Sequence, residues 1–272
     1  MKKNRVNTGL IALVLVMMSW SAWSQNSNGN EFVIPLSDPN KRVKLKAHLN
    51  SGSISIKGSA RKDILVKYTD GEEQKGKNQS KDGLRRVGGG GLELEASENE
   101  NSVKISSNSG NTEIDLEIEV PFGTDLYADT FNDGELVVSN VQGAIELKNY
   151  NGEIMALNIS GSVIATTYNG DIKLTFDKVT DGVPMSYLTY NGNVDLTLPA
   201  STKASLKMKT QQGEIYTGFE MNITSSGMVQ NKDNKSGTFK VSIDEWKRGD
   251  INGGGPEFTL KTNNGDLYIR KK

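Results

Sequence analysis

FNDGELVVSNVQGAIELKNYNGEIMALNISGSVIATTYNGDIKLTF, residues 131–176, places Gly134, Gly143, Gly152, Gly161 and Gly170 nine residues apart. Two residues after each glycine stands an aliphatic side chain: Leu136, Ile145, Ile154, Val163 and Ile172. Two further on come Val138, Leu147, Ala156, Ala165 and Leu174. Alternation with period two marks a strand with one buried face. Asn-Gly and Asp-Gly mark the turn between strands, because glycine takes positive φ without steric cost. A helix would need apolar residues at i, i+3 and i+4, and a glycine in every second or third turn would weaken it by about 1 kcal/mol each time.

The unit has two flavours. Phe131-Asn-Asp-Gly134, Tyr150-Asn-Gly152 and Tyr168-Asn-Gly170 recur at about double the glycine spacing, with Val141-Gln-Gly143 and Ile159-Ser-Gly161 between them. Eighteen residues therefore read as one coil of two strands and two corners. Such coils stack at the inter-strand spacing of about 4.8 Å and bury a continuous core that no single coil can bury alone. Nine is odd, so one residue per half-coil must break the alternation, and the facing of Tyr150, Tyr168 and Tyr190 stays open at this stage. The expected fold is all-β: a single-stranded parallel β-solenoid of stacked two-strand coils, with a less regular strand-rich N-terminal part.

Outward from this centre the pattern continues with insertions: Tyr190-Asn-Gly192-Asn-Val-Asp-Leu196, Gln212-Gly-Glu-Ile215 and Asn264-Gly-Asp-Leu-Tyr-Ile269. Asp177–Met185 reads as a projecting loop, and Met228–Gly237 as another loop. Towards the N-terminus, Gly52-Ser-Ile-Ser-Ile56 matches the unit, and Arg42–Leu49, Asp63–Thr69, Leu92–Ala96, Ser102–Ser106 and Glu113–Val120 alternate as strands. These strands are expected to cap the stack, whose open end is an exposed sheet edge. Residues 72–91 are charged, polar and aperiodic, and read as a mobile loop.

At the start of the chain, Lys2, Lys3 and Arg5 precede the apolar run Leu10–Met18, and Ala22-Trp-Ser24 sets small residues before Gln25. This is the pattern of a secretory signal peptide, and the run is shorter than the roughly 20 residues of a spanning helix. The segments expected are a signal peptide at 1–24, a disordered stretch at 25–30, the strand-rich cap at 31–120 and regular repeats at 121–272, in one domain. The protein is then exported, to periplasm or cell surface, with no stable membrane insertion after cleavage. Losing three basic residues with the signal takes the formal charge from −1 to −4, which gives no footprint for nucleic acid. The chain has no cysteine, which removes disulfides, thiolate metal sites and cysteine nucleophiles together.

The step Val120-Pro121, the step Leu198-Pro-Ala200 leading to Lys209-Thr-Gln-Gln-Gly-Glu-Ile215, and the closing Gly253-Gly-Gly-Pro256…Asn264-Gly-Asp-Leu-Tyr-Ile269 block resemble an exported bacterial family of β-strand-repeat proteins of unknown function, described as putative adhesins. The resemblance covers residues 32–272 and is strongest from 120 onward. It implies a β-solenoid of the bacterial envelope, and it brings no catalytic residues with it.

Candidate chemistry is sparse. His48 is the single histidine, too few for a zinc site in a chain without cysteine, and no Gly-x-Ser-x-Gly elbow occurs. Glu135, Glu153, Asp171, Asp195, Glu214 and Asp266 follow the repeat glycines, where stacking would align them. They read first as solvated positions, and secondarily as the paired acids of a carbohydrate-active enzyme. The Gly-Gly-x-Gly-x-Asp calcium repeat is missing, and neither Gly88–Gly91 nor Gly253–Gly255 opens a helix as a phosphate loop does. No catalytic, cofactor or metal residues are assigned. The binding candidates are Tyr150, Asn151, Tyr168, Asn169, Tyr190 and Asn191: outward they form an aromatic and amide ladder for a glycan or envelope protein; inward they are core and structural stacks. A periplasmic regulatory partner of a membrane signalling protein is a further reading.

Overall fold

The computed structural model describes residues 30–70, 80–81, 84–85, 93–109, 112–132, 134–225, 228–232, 239–243 and 246–272. The expected signal peptide, nearly all of 25–30 and most of the 72–91 loop lie outside them. The described secondary structure is all strand, and no described helix is long and apolar enough to cross a membrane.

The alternating sequence builds two parallel ladders. In the first, Ile54–Ser59, Leu136–Ser139, the start of Ile154–Thr166, Ile172–Val179 and Val194–Leu198 lie side by side. Leu136 stands opposite Ile54 and Ile154, Ile154 opposite Ile172, and Ile172 opposite Val194. In the second, Val43–Ser51, Thr124–Asn132, Ala144–Asn149, the end of Ile154–Thr166 and Met185–Leu188 do the same, with Leu126 opposite Ile145 and Ile145 opposite Val163. One strand from each ladder makes a layer, and the offset between central layers is the doubled glycine spacing read from the sequence.

Ile154–Thr166 shows how a corner is turned. It pairs in the first ladder as far as Gly161 and in the second from Ser162, so that 20 strands form one hydrogen-bonded sheet turned back on itself. Alternation breaks where Asn140 and Asn158 take left-handed φ of 57° and 55°, a conformation asparagine tolerates better than most residues. Inward side chains of both ladders fall into one core. Leu136, Ile154, Ile172 and Leu174 are fully buried, each such side chain contributing about 1.5–3 kcal/mol.

Two parts of the expected architecture need correction. First, strand orientation is mixed. Asp63–Asp70 lies antiparallel on Ile114–Pro121, and Glu31–Pro35 antiparallel on Asp63–Asp70. Leu94–Asn99 lies antiparallel on Ser102–Ser107, and Lys247–Ile251 antiparallel on Ala204–Lys209, followed by Thr224–Ser225. These strands flank the parallel layers and cover edges that would otherwise be bare. A hairpin does this without a crossover; the 94–107 hairpin turns at Glu100 and Asn101, both at positive φ.

Second, layers do not stack in chain order. The 43–59 layer sits between the 102–121 and 124–139 layers. The last strands, Glu257–Lys261 and Leu267–Lys271, sit between Met185–Leu188/Val194–Leu198 and Ala204–Lys209/Ile215–Thr217. The 43–59 layer and the last two strands thereby gain a ladder partner on each side. Elsewhere, Met228–Lys232, expected in a loop, is a strand pairing with Phe239–Ile243, and Ser80–Lys81 pairs with Leu84–Arg85 within the 72–91 segment. Strand Ile172–Val179 also runs further into the expected 177–185 loop.

Candidate functional site

The corner that joins the second ladder to the first carries all six candidate residues, and its geometry follows from the short motif Thr-Tyr-Asn-Gly. Gly152 and Gly170 have φ of +154° and +153°. A Cβ at Gly170 would lie 2.1 Å from the Gly152 carbonyl oxygen of the layer below, and one at Gly152 would lie 2.0 Å from that of Gly134. No other residue fits. The close approach keeps backbone pairing unbroken around the corner: Gly152 N–H donates to Asn169 O at 2.7 Å, and Gly170 N–H to Asn191 O at 2.8 Å.

The residue three before each glycine points inward. Thr167, Thr189 and Thr262 are buried, and each hydroxyl donates to the glycine carbonyl of the adjoining layer: Thr167 to Gly152 at 3.0 Å, Thr189 to Gly170 at 2.9 Å, Thr262 to Gly192 at 2.7 Å. Thr210 does the same to Gly265 at 2.8 Å, and Asn149 Nδ2 to Gly134 at 2.7 Å. These bonds satisfy carbonyls turned out of the ladders, as buried backbone groups require. The Thr-x-x-Gly spacing stands in the sequence one residue upstream of the Tyr-Asn-Gly motif.

Asn151, Asn169, Asn191 and Asn264 form an amide ladder. Each Nδ2 donates to the Oδ1 of the layer before: Asn169 to Asn151 at 2.8 Å, Asn191 to Asn169 at 2.7 Å, and Asn264 to Asn191 at 2.6 Å. The structural stack foreseen for the asparagines is therefore made, but with the tyrosines outside the core. Tyr150, Tyr168 and Tyr190 are 42%, 41% and 42% exposed, and Phe131 is 51% exposed. Their rings stack at centroid distances of 4.8 Å (Phe131–Tyr150), 5.1 Å (Tyr150–Tyr168) and 4.9 Å (Tyr168–Tyr190), the tyrosine planes within 6° of parallel. The ladder ends where Asn263 and Gln211 take the place of the aromatic residue.

This stacking has a chemical consequence. The two internal rings, Tyr150 and Tyr168, lie face to face with a neighbour on each side, so the middle of the ladder offers ring edges and phenolic hydroxyls rather than flat faces. A second stack, Tyr216–Tyr268, lies on the outer side of the first ladder at 5.1 Å, with the Arg270 guanidinium 5.1 Å from the Tyr268 ring.

Beside the tyrosines runs a row of post-glycine side chains. Asp171 Oδ1 accepts from Asn193 N–H at 2.7 Å, Asn193 Oδ1 from Asp266 N–H at 2.8 Å, and Asp266 Oδ1 from Glu214 N–H at 2.8 Å. The bond from Glu214 N–H, with one from the Tyr268 hydroxyl, holds Asp266 below the usual carboxylate range. Glu153 stands above that range because it is partly buried and flanked by Asp171 and Glu135, against the pull of Lys173. Of the six acids, Asp171 and Asp266 serve the next layer's backbone, while Asp195, where Asn193 takes the post-glycine place, pairs instead with Arg270 on the first ladder. No group of three or more acidic or histidine side chains among the described residues converges as a metal site would.

His48 lies on the outer face of the second ladder, its Nδ1 bonded to Asp129 Oδ2 at 2.5 Å. The register sets Ser106 opposite His48 on the other side, so serine, histidine and aspartate share a row. Yet Ser106 is buried, and no hydrogen bond joins it to His48. The nucleophile–base contact that acyl transfer needs is not made.

Residues 128–253, the segment holding most of the ladder, match the family model described as Toastrack DUF4097. That match bears out the resemblance to a domain family of unknown function. Among solved structures, one described as a putative cell adhesion protein from Clostridium sporogenes shares 16% identity at a TM-score of 0.47, covering 89% of this chain and 99% of that one. Another, described as a putative adhesin from Bacteroides fragilis, shares 10% identity at a TM-score of 0.32, covering 89% and 96%. No curated protein matches the sequence.

Proposed function

We propose that this protein is an exported, non-enzymatic, adhesin-like or scaffold module of β-solenoid type that presents its Phe131–Tyr190 ladder to an envelope protein partner. The observation that carries this reading is the exposure of four stacked rings in consecutive layers. A contiguous aromatic stripe left in water marks an interaction surface more often than a solvated face does, and tyrosines supply contact area at low conformational cost. Covered ring faces favour a protein over a sugar here, because a sugar ring stacks on a free face. The amide row beside the rings adds donors and acceptors at the layer spacing.

The test is saturable binding of the purified chain to isolated envelopes of the encoding bacterium. Tyr150→Ala with Tyr168→Ala should weaken it at least tenfold while circular dichroism shows the fold retained. Unchanged binding by the folded double variant would refute the ladder as the contact surface. Conversion of any polysaccharide, abolished by Glu153→Gln or Asp171→Asn, would instead favour the carboxylate enzyme.

A further inference from the structure

We propose that the opposite corner of the layers holds a subsite for a sugar ring of an oligosaccharide, with Phe122 as its stacking platform. A groove of about 460 Å³ runs along that corner, lined by Phe122, Asn140, Gln142, Asn158, Ser160 and Asp177 among others. Phe122 is 41% exposed. Unlike the ladder rings, it has no aromatic partner among the described residues, so its face is not taken by another ring. The turn that carries it is pinned through its backbone: Phe122 N–H donates to Ser59 O at 3.0 Å, and Phe122 O accepts from Gln142 N–H at 2.7 Å. The backbone beneath the ring is therefore held in place before any ligand arrives, which lowers the ordering cost of binding.

Around the ring stand uncharged polar groups in successive layers. Asn158 Nδ2 donates to Asn140 Oδ1 at 3.3 Å. This leaves Asn140 Nδ2, Asn158 Oδ1, the Gln142 amide and the Ser160 hydroxyl without side-chain partners among the described residues. Amides and hydroxyls that both donate and accept match the hydroxyl rim of a pyranose, and a free aromatic face matches its C–H side. Concave sites join apolar surface to a few placed polar groups in this way. The single carboxylate in the lining, Asp177, is engaged by Lys272 at 2.6 Å, while Lys57, also in the lining, admits a carboxylated sugar as well as a neutral one.

The proposal stands apart from the tyrosine ladder, and so does its test. Cellopentaose, chitopentaose and pentagalacturonate are titrated in turn into the whole chain and followed by amide NMR shifts. At least one should give saturable shifts centred on Phe122, Asn140, Asn158 and Ser160. Phe122→Ala should weaken that binding about tenfold or more, and Asn158→Ala should weaken it less. Tyr168→Ala should leave it unchanged. The exposed position of Phe122 lets the variant fold, which thermal unfolding verifies. Absence of saturable shifts with all three sugars, native affinity in Phe122→Ala, or shifts centred on Tyr150–Tyr190 would each overturn the proposal.

Discussion

Replacing Thr262 with valine removes one hydrogen bond and almost nothing else. Thr262 is fully buried, and its hydroxyl donates to Gly192 O at 2.7 Å. That carbonyl accepts no other hydrogen bond from the described residues, because it points at Gly265 in the adjoining layer. Valine keeps the shape and withdraws the donor, leaving the carbonyl buried and unpaired. The cost of such an orphan is about 1–3 kcal/mol. For a chain of this size each kcal/mol moves the melting temperature by about 2–4 °C, so Thr262→Val should melt about 2–12 °C lower. Thr262→Ser keeps the hydroxyl and loses a methyl, a loss of about 0.8 kcal/mol, and should fall between. Layers contact only their neighbours, so hydrogen exchange should quicken first around 185–217 and 257–271 and little at 43–59. Thermal unfolding and exchange check both statements. A valine variant as stable as the parent would refute the claim that inward threonines hold the corner.

Gly170→Ala forces a Cβ to 2.1 Å from a backbone oxygen at a φ of +153°; it should cost about 3 kcal/mol or more, read by urea unfolding. Asn149→Thr should stabilise by about 1 kcal/mol, because the Asn149 Oδ1 is buried without a partner and threonine already fills the equivalent place at 167, 189 and 262. Glu153, raised by burial and by Asp171 and Glu135, keeps its proton longer in the folded chain. Its contribution therefore favours folding below the ordinary glutamate range and is lost as pH rises through the raised value. Glu153→Gln should be more stable than the parent at neutral pH and equal to it in acid. Asp266 has the opposite sign: its contribution is present above the ordinary aspartate range and lost as pH falls through the lowered value. Asp266→Asn should be less stable at neutral pH and equal to the parent in acid.

Much of the centre was legible because its signal is local. Glycine spacing and alternation between 131 and 176 set which residues face inward, and Leu136, Ile154 and Ile172 align as that spacing requires. The asparagine stack was legible as one of two alternatives. Tyrosine facing was not, since an odd half-coil leaves parity to whichever residue takes the corner, and that residue is the glycine. Layer order was also hidden. The Asn264-Gly265 unit fits equally well after 212–213 or beneath it, because long insertions erase the period that would rank the layers. Antiparallel flanking strands such as Asp63–Asp70 alternate just as parallel ones do, so period two could not reveal their direction. The Phe122 groove joins residues from several layers, and only the stacking brings Phe122 near Asn158.

The layers are parallel, and the last strands, Glu257–Lys261 and Leu267–Lys271, are intercalated between two earlier layers. Methyl NOE spectroscopy addresses this directly, since neighbouring layers lie about 4.8 Å apart and alternate layers twice as far. Contacts should join Leu136 to Ile154, Ile154 to Ile172, Ile172 to Val194, Val194 to Leu267, and Leu267 to Ile215. A contact between Val194 and Ile215 with none from Val194 to Leu267 would contradict the intercalated order, and absence of the Leu136–Ile154–Ile172 series would contradict the parallel layers themselves.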